Sequence, residues 1–381
     1  MIYHLLPEWE SFSAFQGGAV SKDIANIMRF EESRIVVCRS SDQTWGFPAN
    51  RILVIPGLSG YAKTRARRFF PAWICAPILR RVFQPLVSRL KRGDIVWCHS
   101  QPFFAAALGR EIHSRGAKLI FHAHNFISGP LVRTKFRHFD PDAVIFVSEF
   151  MRQESLSRLP MLKNTWAIHN GADEALFYPA RSNAHPQRAV PVILFVGRLN
   201  PDKGVHVLLH AVRILEQRGV EFRCRIVGSS YVGGSKATSY VESLHSTCPP
   251  NVEFAGFRSG KEIGDEYRAA DILCCPSIWQ EPFGNVNIEA MACGIPVVAT
   301  RVGGIPEIAA EGGVLLVEPN SAIQIADALQ RLVADKQLRA KVAAEGLESF
   351  RRRFTWAAIY RQYEAVTDSL GTTSAAEGAL R

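Results

Sequence analysis

Two glutamates, eight residues apart, mark the segment of the chain best suited to chemistry. Glu281 and Glu289 flank the run Pro-Phe-Gly-Asn-Val-Asn-Ile, which predicts a loop and then a short helix with Glu289 in its first turn. The free N–H groups at the start of such a helix favour a bound anion. Carboxylates beside an anion repel it unless they accept hydrogen bonds from hydroxyl groups. The pattern therefore points to a ligand with both phosphates and sugar hydroxyls, a sugar nucleotide.

A second segment places two cations beside another predicted helix start. Arg198 and Lys203 lie in the run Gly-Arg-Leu-Asn-Pro-Asp-Lys-Gly, between a predicted strand and a predicted helix. A guanidinium can bind phosphate through two parallel hydrogen bonds and an ammonium acts as a point charge, so the pair could neutralise a diphosphate. The run is not a Walker A loop, whose lysine follows the second glycine and precedes Ser or Thr. The alternative is a solvent-exposed loop with two basic residues.

Paired glycines lie between the first predicted strand and the first predicted helix. Gly17 and Gly18 would let backbone N–H groups approach a phosphate at that helix start. Any tight strand–helix turn looks the same, so both interpretations stay open. The chain has no G-x-G-x-x-G run, and a dinucleotide fingerprint is therefore not met.

Two histidines follow a predicted buried strand. His122 and His124 stand where an open parallel sheet places its binding loops. An H-x-H pair also occurs in metal hydrolases, but the sequence offers no matching set of further ligands. Asp140 and Asp142 form a D-x-D that immediately precedes an apolar run, which predicts a strand-entry turn. We therefore predict no catalytic metal and no cofactor.

The elements that must position these residues follow the pattern of parallel α/β sheets. Short β-branched runs alternate with amphipathic stretches, giving seven predicted strands in residues 2–169 and six in residues 192–317. Residues 177–191 contain three prolines and predict a linker. Two similar halves predict a ligand held in the cleft between them. The predicted organisation is a domain over 1–176, a domain over 192–354, a helix over 355–370 that packs back on the first domain, and a disordered tail over 371–381.

The composition is that of an ordinary globular chain. Of its 381 residues, 47% are hydrophobic and 21% are charged, which excludes disordered, collagen-like and coiled-coil proteins. Eight cysteines without a C-x-x-C pair support neither a zinc ribbon nor a disulfide scaffold, so a reduced, cytoplasmic location fits best. The N-terminus has neither a basic region nor a long apolar run, and no signal peptide is expected.

Positive charge is concentrated in the first half of the chain. The net charge of +10 divides into +9 for residues 1–180 (23 basic minus 14 acidic) and +1 for the rest (22 minus 21). The stretch 63–92 interleaves nine basic residues with aromatic and aliphatic ones, and its apolar runs are too short to span a bilayer. It is either a domain helix with a solvated basic face or a surface that binds an anionic membrane leaflet near a lipid-linked substrate. No nucleic-acid partner is predicted.

Together, these segments resemble the family 4 retaining glycosyltransferases. The resemblance covers nearly the whole chain and is most specific from Glu281 to Glu307. Within the family, the chain is most similar to transferases of lipopolysaccharide core and other surface glycans. The resemblance implies an α/β architecture of the GT-B type, with two facing Rossmann-like domains, parallel sheets and an interdomain cleft.

The resemblance also implies a role for each matching residue. Arg198 and Lys203 bind the donor diphosphate and stabilise it as it leaves, and Glu289 accepts hydrogen bonds from the ribose. His122 stands beside the donor sugar, with His124 as the alternative. The residues implied to be catalytic are His122, Arg198, Lys203 and Glu281; those implied to bind the donor are Gly17, Gly18, Phe257, Arg258, Phe283, Gly284, Asn285, Val286 and Glu289.

The implied reaction moves a sugar, with retention and without a metal, from a nucleotide sugar to a glycan or lipid-linked saccharide of a surface polysaccharide or lipopolysaccharide. UDP is favoured over GDP as the carrier. The implied location is cytoplasmic, or peripheral on the cytoplasmic face of the inner membrane. Two alternatives stay open: a sugar-nucleotide epimerase or hydrolase of the same fold, and a basic membrane-binding adaptor with a vestigial nucleotide site.

Overall fold

The computed structural model describes residues 1–14, 18–58, 72–127, 139–180, 190–230 and 238–378. Internal contacts divide the chain into a first unit of residues 1–169 and 359–381 and a second unit of residues 170–358. This division precedes the predicted linker 177–191 because residues 170–172 pair within the second unit. The N–H of Ala172 donates to the carbonyl of Phe354 at 3.1 Å, and Gly171 lies against the ring of Trp356.

The first unit is built on one parallel sheet. Its strands are mostly continuous apolar runs, as expected when helices cover both faces of a parallel sheet. In the described residues, the spatial order is β3-β2-β1-β4-β5-β6-β7. The strands are β1 (Ile2–Leu5), β2 (Arg34–Cys38), β3 (Ile52–Val54), β4 (Ile95–His99), β5 (Lys118–Ala123), β6 (Ala143–Phe146) and β7 (Thr165–Ala167).

The helices of the first unit differ from prediction at one place. The single helix predicted over 76–91 is two helices, because Pro85 has no N–H to donate to the carbonyl of residue 81. Residues 59–71, which precede the first of these two helices, lie outside the described part of the chain. The helices are α1 (Ala19–Met28), α2 (Ala72–Val82), α3 (Gln84–Val87), α4 (Pro102–Ser114) and α5 (Glu149–Arg158), with a 3₁₀ turn at Ala49–Arg51.

The second unit repeats the architecture with six described parallel strands, in the order β10-β9-β8-β11-β12-β13. One strand, predicted over 253–257, ends a residue earlier, so Phe257 follows the strand and is 40% exposed. The predicted class of two parallel α/β domains is confirmed. The strands are β8 (Val192–Val196), β9 (Arg223–Val227), β10 (Val252–Gly256), β11 (Ile272–Cys275), β12 (Val297–Thr300) and β13 (Val314–Val317).

Most helices of the second unit have an apolar face on the sheet. Three short helices were not predicted, because five to eight residues give too few turns for a periodic pattern to show. No described helix is both long and apolar enough to cross a membrane. The helices are α6 (Val205–Gln217), α7 (Ser239–Ser246), α8 (Lys261–Arg268), α9 (Asn285–Ala292), α10 (Ile305–Ala309), α11 (Ala322–Ala334) and α12 (Lys336–Arg353), and a last helix, α13 (Trp356–Gly378), begins in this unit and continues in the first.

The last helix, α13, connects the second unit to residues of the first. It runs eight residues past its predicted end at 370, through a segment that includes the strong helix formers Ala375 and Ala376. In the first unit, Tyr363 of this helix packs edge-to-face on Trp97, with ring centroids 5.1 Å apart. The segment predicted as a disordered tail is therefore helical as far as Gly378.

Strand order reverses once in each sheet, between β1 and β4 and between β8 and β11. The loops that leave the carboxyl ends of strands at such a point diverge, and α/β proteins bind ligands there. His99 ends β4 and His122 lies near the end of β5, whereas residues 197–204 follow β8 and residues 276–284 follow β11. Most of the predicted site residues are therefore at these edges.

Candidate functional site

In the second unit, two predicted site residues form an ion pair. The Nζ of Lys203 lies 2.5 Å from Oε1 of Glu281, and their side chains are 20% and 6% exposed. The hydroxyl of Ser277 donates to the same carboxylate oxygen at 2.6 Å. Prediction assigned Lys203 to a diphosphate and Glu281 to a sugar, so their direct contact is a new constraint on both roles.

Local structure holds Lys203 in place. Residues Pro201–Lys203 form a 3₁₀ turn, and the side chain of Asn200 accepts the N–H of Lys203 at its start. The N–H of Ile278 donates to the carbonyl of Asp202 at 2.8 Å, which ties the loop after β11 to the loop after β8. The Nζ of Lys203 also lies 5.5 Å from the ring centroid of Trp279. The ammonium is therefore fixed by a carboxylate and an aromatic face.

A glycine turn fixes the backbone of Glu281. The N–H of Gly304 donates to the carbonyl of Glu281 at 2.9 Å, and the N–H of Gly303 donates to the side chain of Gln280 at 2.7 Å. Gly303 has φ +56°, and a Cβ there would lie 2.0 Å from the carbonyl oxygen of Glu281. Only glycine fits this approach.

The start of α9 presents backbone N–H groups. Gly284 precedes the helix with φ +103°, where a side chain would be strained and would meet Asn287. The N–H groups of Asn285 and Val286 come too early to bond within the helix, and neither has an acceptor among the described residues. The side-chain amide of Asn170 donates to Oδ1 of Asn285 at 2.9 Å. This helix start has the chemistry of an anion site.

A buried tyrosine donates a hydrogen bond to the side chain of Glu289. The hydroxyl of Tyr267 donates to Oε2 of Glu289 at 2.6 Å. Burial, and next the charge of Glu289, raise the pKa of Tyr267 well above its usual range, so the tyrosine stays a donor. Glu289 was predicted to lie in the first turn of this helix. Because α9 begins at Asn285, Glu289 lies instead at the start of the second turn.

The remaining predicted residues of the second unit lie in different environments. Arg198 is exposed after β8 and forms no ion pair with any described residue. Arg258 follows β10 and lies 3.4 Å from the carboxylate of Glu266, while Phe257 beside it is exposed. Phe283 was predicted to bind the donor. Its side chain is 2% exposed and packs against Phe354 in the core.

In the first unit, the predicted phosphate position at α1 is already filled. The N–H of Ser21 donates to Oε2 of Glu10 at 2.9 Å, and a Cβ on Gly18 would lie 2.4 Å from Oε1 of the same carboxylate. Burial raises the pKa of Glu10. The chain's own carboxylate thus takes the place at Gly18 that was predicted for a donor phosphate. Gly17 lies outside the described residues.

The structure separates the two candidate histidines. His122 is fully buried, and neither of its ring nitrogens has a hydrogen-bond partner among the described residues. Because the side chain of His122 has no exposed surface, the alternative, His124, is the better placed of the two histidines to meet a ligand. His124 lies just beyond the end of β5, and its side chain is 8% exposed. Burial lowers its pKa to about 3, so it is neutral at physiological pH.

Several residues that contact the candidate site residues were not singled out in the sequence. Ser277, Tyr267 and Trp279 support Lys203, Glu281 and Glu289, but nothing in their local sequence distinguishes them from core residues. His99 contacts His124, and His4 contacts His99; here a signal existed. Each is a histidine inside an otherwise apolar strand, as His122 is. Ligand atoms of His99, His122 and His124 all lie within 4.8 Å of one another.

Two protein families match the chain. "Glycosyl transferases group 1" matches residues 181–348, and "Glycosyltransferase Family 4" matches residues 35–176. The chain is 30% identical over 270 residues to lipopolysaccharide 1,2-N-acetylglucosaminetransferase of Salmonella typhimurium, covering 68% of this chain and 69% of that protein. It is 36% identical over 225 residues to D-inositol 3-phosphate glycosyltransferase of Corynebacterium efficiens, covering 56% of this chain and 52% of that protein.

Length and structure add to this comparison. The chain spans about half to three fifths of the length of several curated relatives, the Corynebacterium protein among them. Among solved structures, HepE of Anabaena in complex with UDP and glucose has a TM-score of 0.72, with 21% identity over 97% of this chain and 99% of that chain. At that identity the likeness is one of fold.

Proposed function

Because the chain belongs to the family 4 glycosyltransferases, with their GT-B fold, we propose that it transfers a glycosyl group with retention from a nucleoside diphosphate sugar to a saccharide hydroxyl. The observation that carries the proposal is one constellation in the second unit. Glu281, which is paired with Lys203, lies just before the N–H groups that begin α9. The exposed Arg198 follows β8, the strand next to β11.

The cations act on the leaving group. As the bond to the anomeric carbon breaks, negative charge grows on the β-phosphate, and fixed cations and N–H donors lower the barrier without reorganising. An ammonium has three N–H donors, so Lys203 can keep Glu281 and still donate to a phosphate oxygen. Arg198, exposed and outside any ion pair with described residues, can bind the diphosphate through its planar guanidinium.

The carboxylates act on hydroxyl groups. Glu289, oriented by Tyr267, accepts hydrogen bonds from the ribose of the donor. Glu281 accepts from a hydroxyl of the sugar, while Lys203 and Ser277 hold its orientation and offset its charge. Phe257 and Arg258, at the end of β10, pack against the base. Support for uridine comes from HepE, solved with UDP and with UDP-glucose.

The proposed acceptor is a surface glycan or a lipid-linked saccharide. Support comes from the Salmonella relative, named as a lipopolysaccharide transferase, and from the galactosyltransferase WaaB, a lipopolysaccharide enzyme whose structure has the same fold with a TM-score of 0.67. In the described part of the basic stretch, Arg80, Arg81 and Lys91 are exposed, and so is the apolar Ile78, at 61%. These residues are the described portion of a proposed surface for an anionic leaflet; residues 63–71 lie outside the description.

A nucleotide panel tests the donor site. Wild-type protein is heated with UDP-, GDP- and ADP-sugars, and we expect a UDP-sugar to raise the melting temperature, since ligand at 100 times its Kd adds about 2.7 kcal/mol. Arg198→Ala should lose most of this shift, whereas Lys341→Ala, an exposed lysine on α12, should keep it. Stabilisation by no nucleotide sugar contradicts the proposal. Release of free sugar at the full rate without acceptor would indicate a hydrolase.

Liposome binding tests the acceptor side. We expect co-sedimentation with anionic vesicles that falls as salt increases, and that weakens in Arg80→Glu/Arg81→Glu. A double variant with the same change in net charge, Arg331→Glu/Arg351→Glu in the second unit, is the matched control. Equal binding to neutral and anionic vesicles, or equal loss in both double variants, contradicts the membrane surface.

A further inference from the structure

Four side chains of the first unit, three of them fully buried, form a continuous line. The Nη1 of Arg34 lies 3.1 Å from Nε2 of His4, whose Nδ1 lies 3.1 Å from Nε2 of His99. The Nδ1 of His99 then lies 3.0 Å from Nε2 of His124. Arg34, His4 and His99 are fully buried. They stand on β2, β1 and β4, which are adjacent, and His124 follows β5, the next strand.

The line has one consistent arrangement of protons. A guanidinium has only N–H donors, so Nε2 of His4 must accept and its proton must be on Nδ1. That proton is donated to Nε2 of His99, which places the proton of His99 on Nδ1. The proton of His99 is donated to Nε2 of His124, and the proton of His124 is therefore on Nδ1.

Neutral rings are required for this order, and burial supplies them. Burial lowers the pKa of His4 and His99 well below the usual value, and the charge of Arg34 lowers the pKa of His4 further. Arg34 itself is fixed: its Nε lies 2.9 Å from a carboxylate oxygen of Glu31, and it lies over the ring of Tyr360, 5.0 Å from the centroid. The guanidinium at the start of the line is therefore held in one orientation.

A carboxylate stands at the far end of the line. Oδ2 of Asp23 lies 3.7 Å from Nδ1 of His124, too far for a hydrogen bond, and both side chains reach the surface slightly. A single hydroxyl oxygen could accept from the N–H of His124 and donate to Asp23 at once. Saccharide hydroxyls have this dual character, whereas phosphate oxygens, which are acceptors only, would be repelled by Asp23.

We infer that Arg34 is a positioning residue, which acts through His4 and His99 to hold His124 as an Nδ1–H donor to a substrate hydroxyl shared with Asp23. The inference rests on the proposed function, because it takes the substrate to be a saccharide. It excludes His124 as a general base in the resting enzyme, since the nitrogen that remains for a ligand already carries a proton.

A bound metal ion is the competing explanation of the cluster. By distance, His99, His122 and His124 could ligate one ion, which would also give His122 a partner. An ion on Nδ1 of His99 would force the proton of His99 onto Nε2. That proton would face Nδ1 of His4, which carries a proton because Arg34 donates to the opposite nitrogen. The arginine therefore argues for the hydrogen-bonded line.

Nitrogen NMR of the full chain tests the arrangement without substrate. In protein labelled with ¹⁵N-histidine, ring shifts distinguish protonated from bare nitrogens, and signals absent in His124→Gln identify His124. We expect a protonated Nδ1 and bare Nε2 for His124 in the wild type and in Arg34→Lys, which is also a donor only. In Arg34→Met no donor fixes the tautomer of His4, so the proton of His124 should be distributed between Nδ1 and Nε2. A protonated Nε2 in the wild type, or ring signals shifted stoichiometrically by added Zn²⁺, would overturn the inference.

Kinetics then separates positioning from folding. In Arg34→Met, kcat/KM should fall about tenfold, the worth of one substrate hydrogen bond, with the shift in melting temperature on adding UDP, which lacks the sugar, unchanged. Arg34→Lys should stay within about twofold of the wild type. Equal activity in both variants, with the NMR difference present, overturns the positioning role. Failure of the nucleotide panel instead removes the proposed function and leaves the proton arrangement standing.

Discussion

In the second unit, the groups at the strand-order reversal are charged and partly open to solvent, with Lys203 on Glu281 and Arg198 exposed. In the first unit, the groups at the corresponding edge are neutral imidazoles in a nearly closed environment. Two sheets of the same architecture thus place different groups at this edge: charged side chains in the second unit and neutral imidazoles in the first. Charged groups suit a ligand whose charge changes during reaction, whereas neutral, directed hydrogen bonds suit one that must only be oriented.

The two units also differ in whether the backbone N–H groups at a helix start already have an acceptor. In the second unit, the N–H groups of Asn285 and Val286 at α9 have no acceptor among the described residues. In the first unit, Glu10 caps α1 from within the chain, so that helix start is satisfied before any ligand arrives. A phosphate is therefore expected at α9, and it would have to displace a carboxylate at α1.

Acid should break the first unit before the second, and this is the largest effect we expect. Burial holds the pKa of His4, His99, His122 and His124 below the unfolded value, so the unfolded state binds more protons below about pH 6.5 and stability falls as the pH falls. Between pH 7 and 5.5 each histidine costs about 1 kcal/mol, or about 4 kcal/mol in all. Hydrogen exchange at both pH values should show β4 losing protection and β8 keeping it; equal loss in both strands contradicts the prediction.

Removing a cation from the second unit should act on turnover. Lys203→Ala is expected to lower kcat by 10²–10³, about 3 kcal/mol, with a smaller loss of donor affinity, because leaving-group charge peaks in the transition state. Lys341→Ala on α12 is the matched control, and the steady-state rate with saturating donor is the measurement. A fall in affinity as large as the fall in kcat would show that Lys203 binds the ground state equally well.

Glu289→Ala should weaken nucleotide binding by about 2 kcal/mol, through the loss of a charged acceptor for the ribose. Titration calorimetry with UDP measures this directly. Glu345→Ala, a carboxylate on the exposed face of α12, should leave the affinity unchanged. Wild-type affinity in Glu289→Ala would remove the ribose role and leave the Lys203–Glu281 pair as the remaining support for a donor site.

The strands were predictable to within one or two residues, because each is an apolar run bounded by turn residues. Pairings across the chain were not. Lys203 and Glu281 are separated by 78 residues, and only the adjacency of β8 and β11 brings them into contact. The contact between Glu10 and Gly18 is short in sequence but was equally unpredictable, because no local pattern shows that a carboxylate reaches the helix start.

The histidines show where sequence reasoning stopped short. The resemblance implied His122, with His124 as the alternative, because the H-x-H repeat offers both. Only the end of β5 at Ala123 shows that the first lies within the strand and is fully buried, whereas the second lies just beyond it. Histidines in the three apolar strands β1, β4 and β5 were visible in the sequence. Their alignment across adjacent strands depended on strand order, which the sequence pattern does not contain.

The smallest effect we expect comes from the residue beneath Glu289. Tyr267→Phe removes one hydroxyl that donates to the carboxylate at 2.6 Å and leaves the buried ring in place. Losing that single hydrogen bond should cost about 1 kcal/mol of nucleotide affinity, roughly fivefold, because Glu289 stays charged but is no longer held in one orientation. Tyr240→Phe, which removes a hydroxyl bonded to His206 in the same unit, is the matched control and should not change the affinity. Calorimetry with UDP on both variants decides: equal affinities in the two would show that Glu289 needs no support from Tyr267, and that the charged site of the second unit, unlike the histidine line of the first, does not depend on a positioning residue.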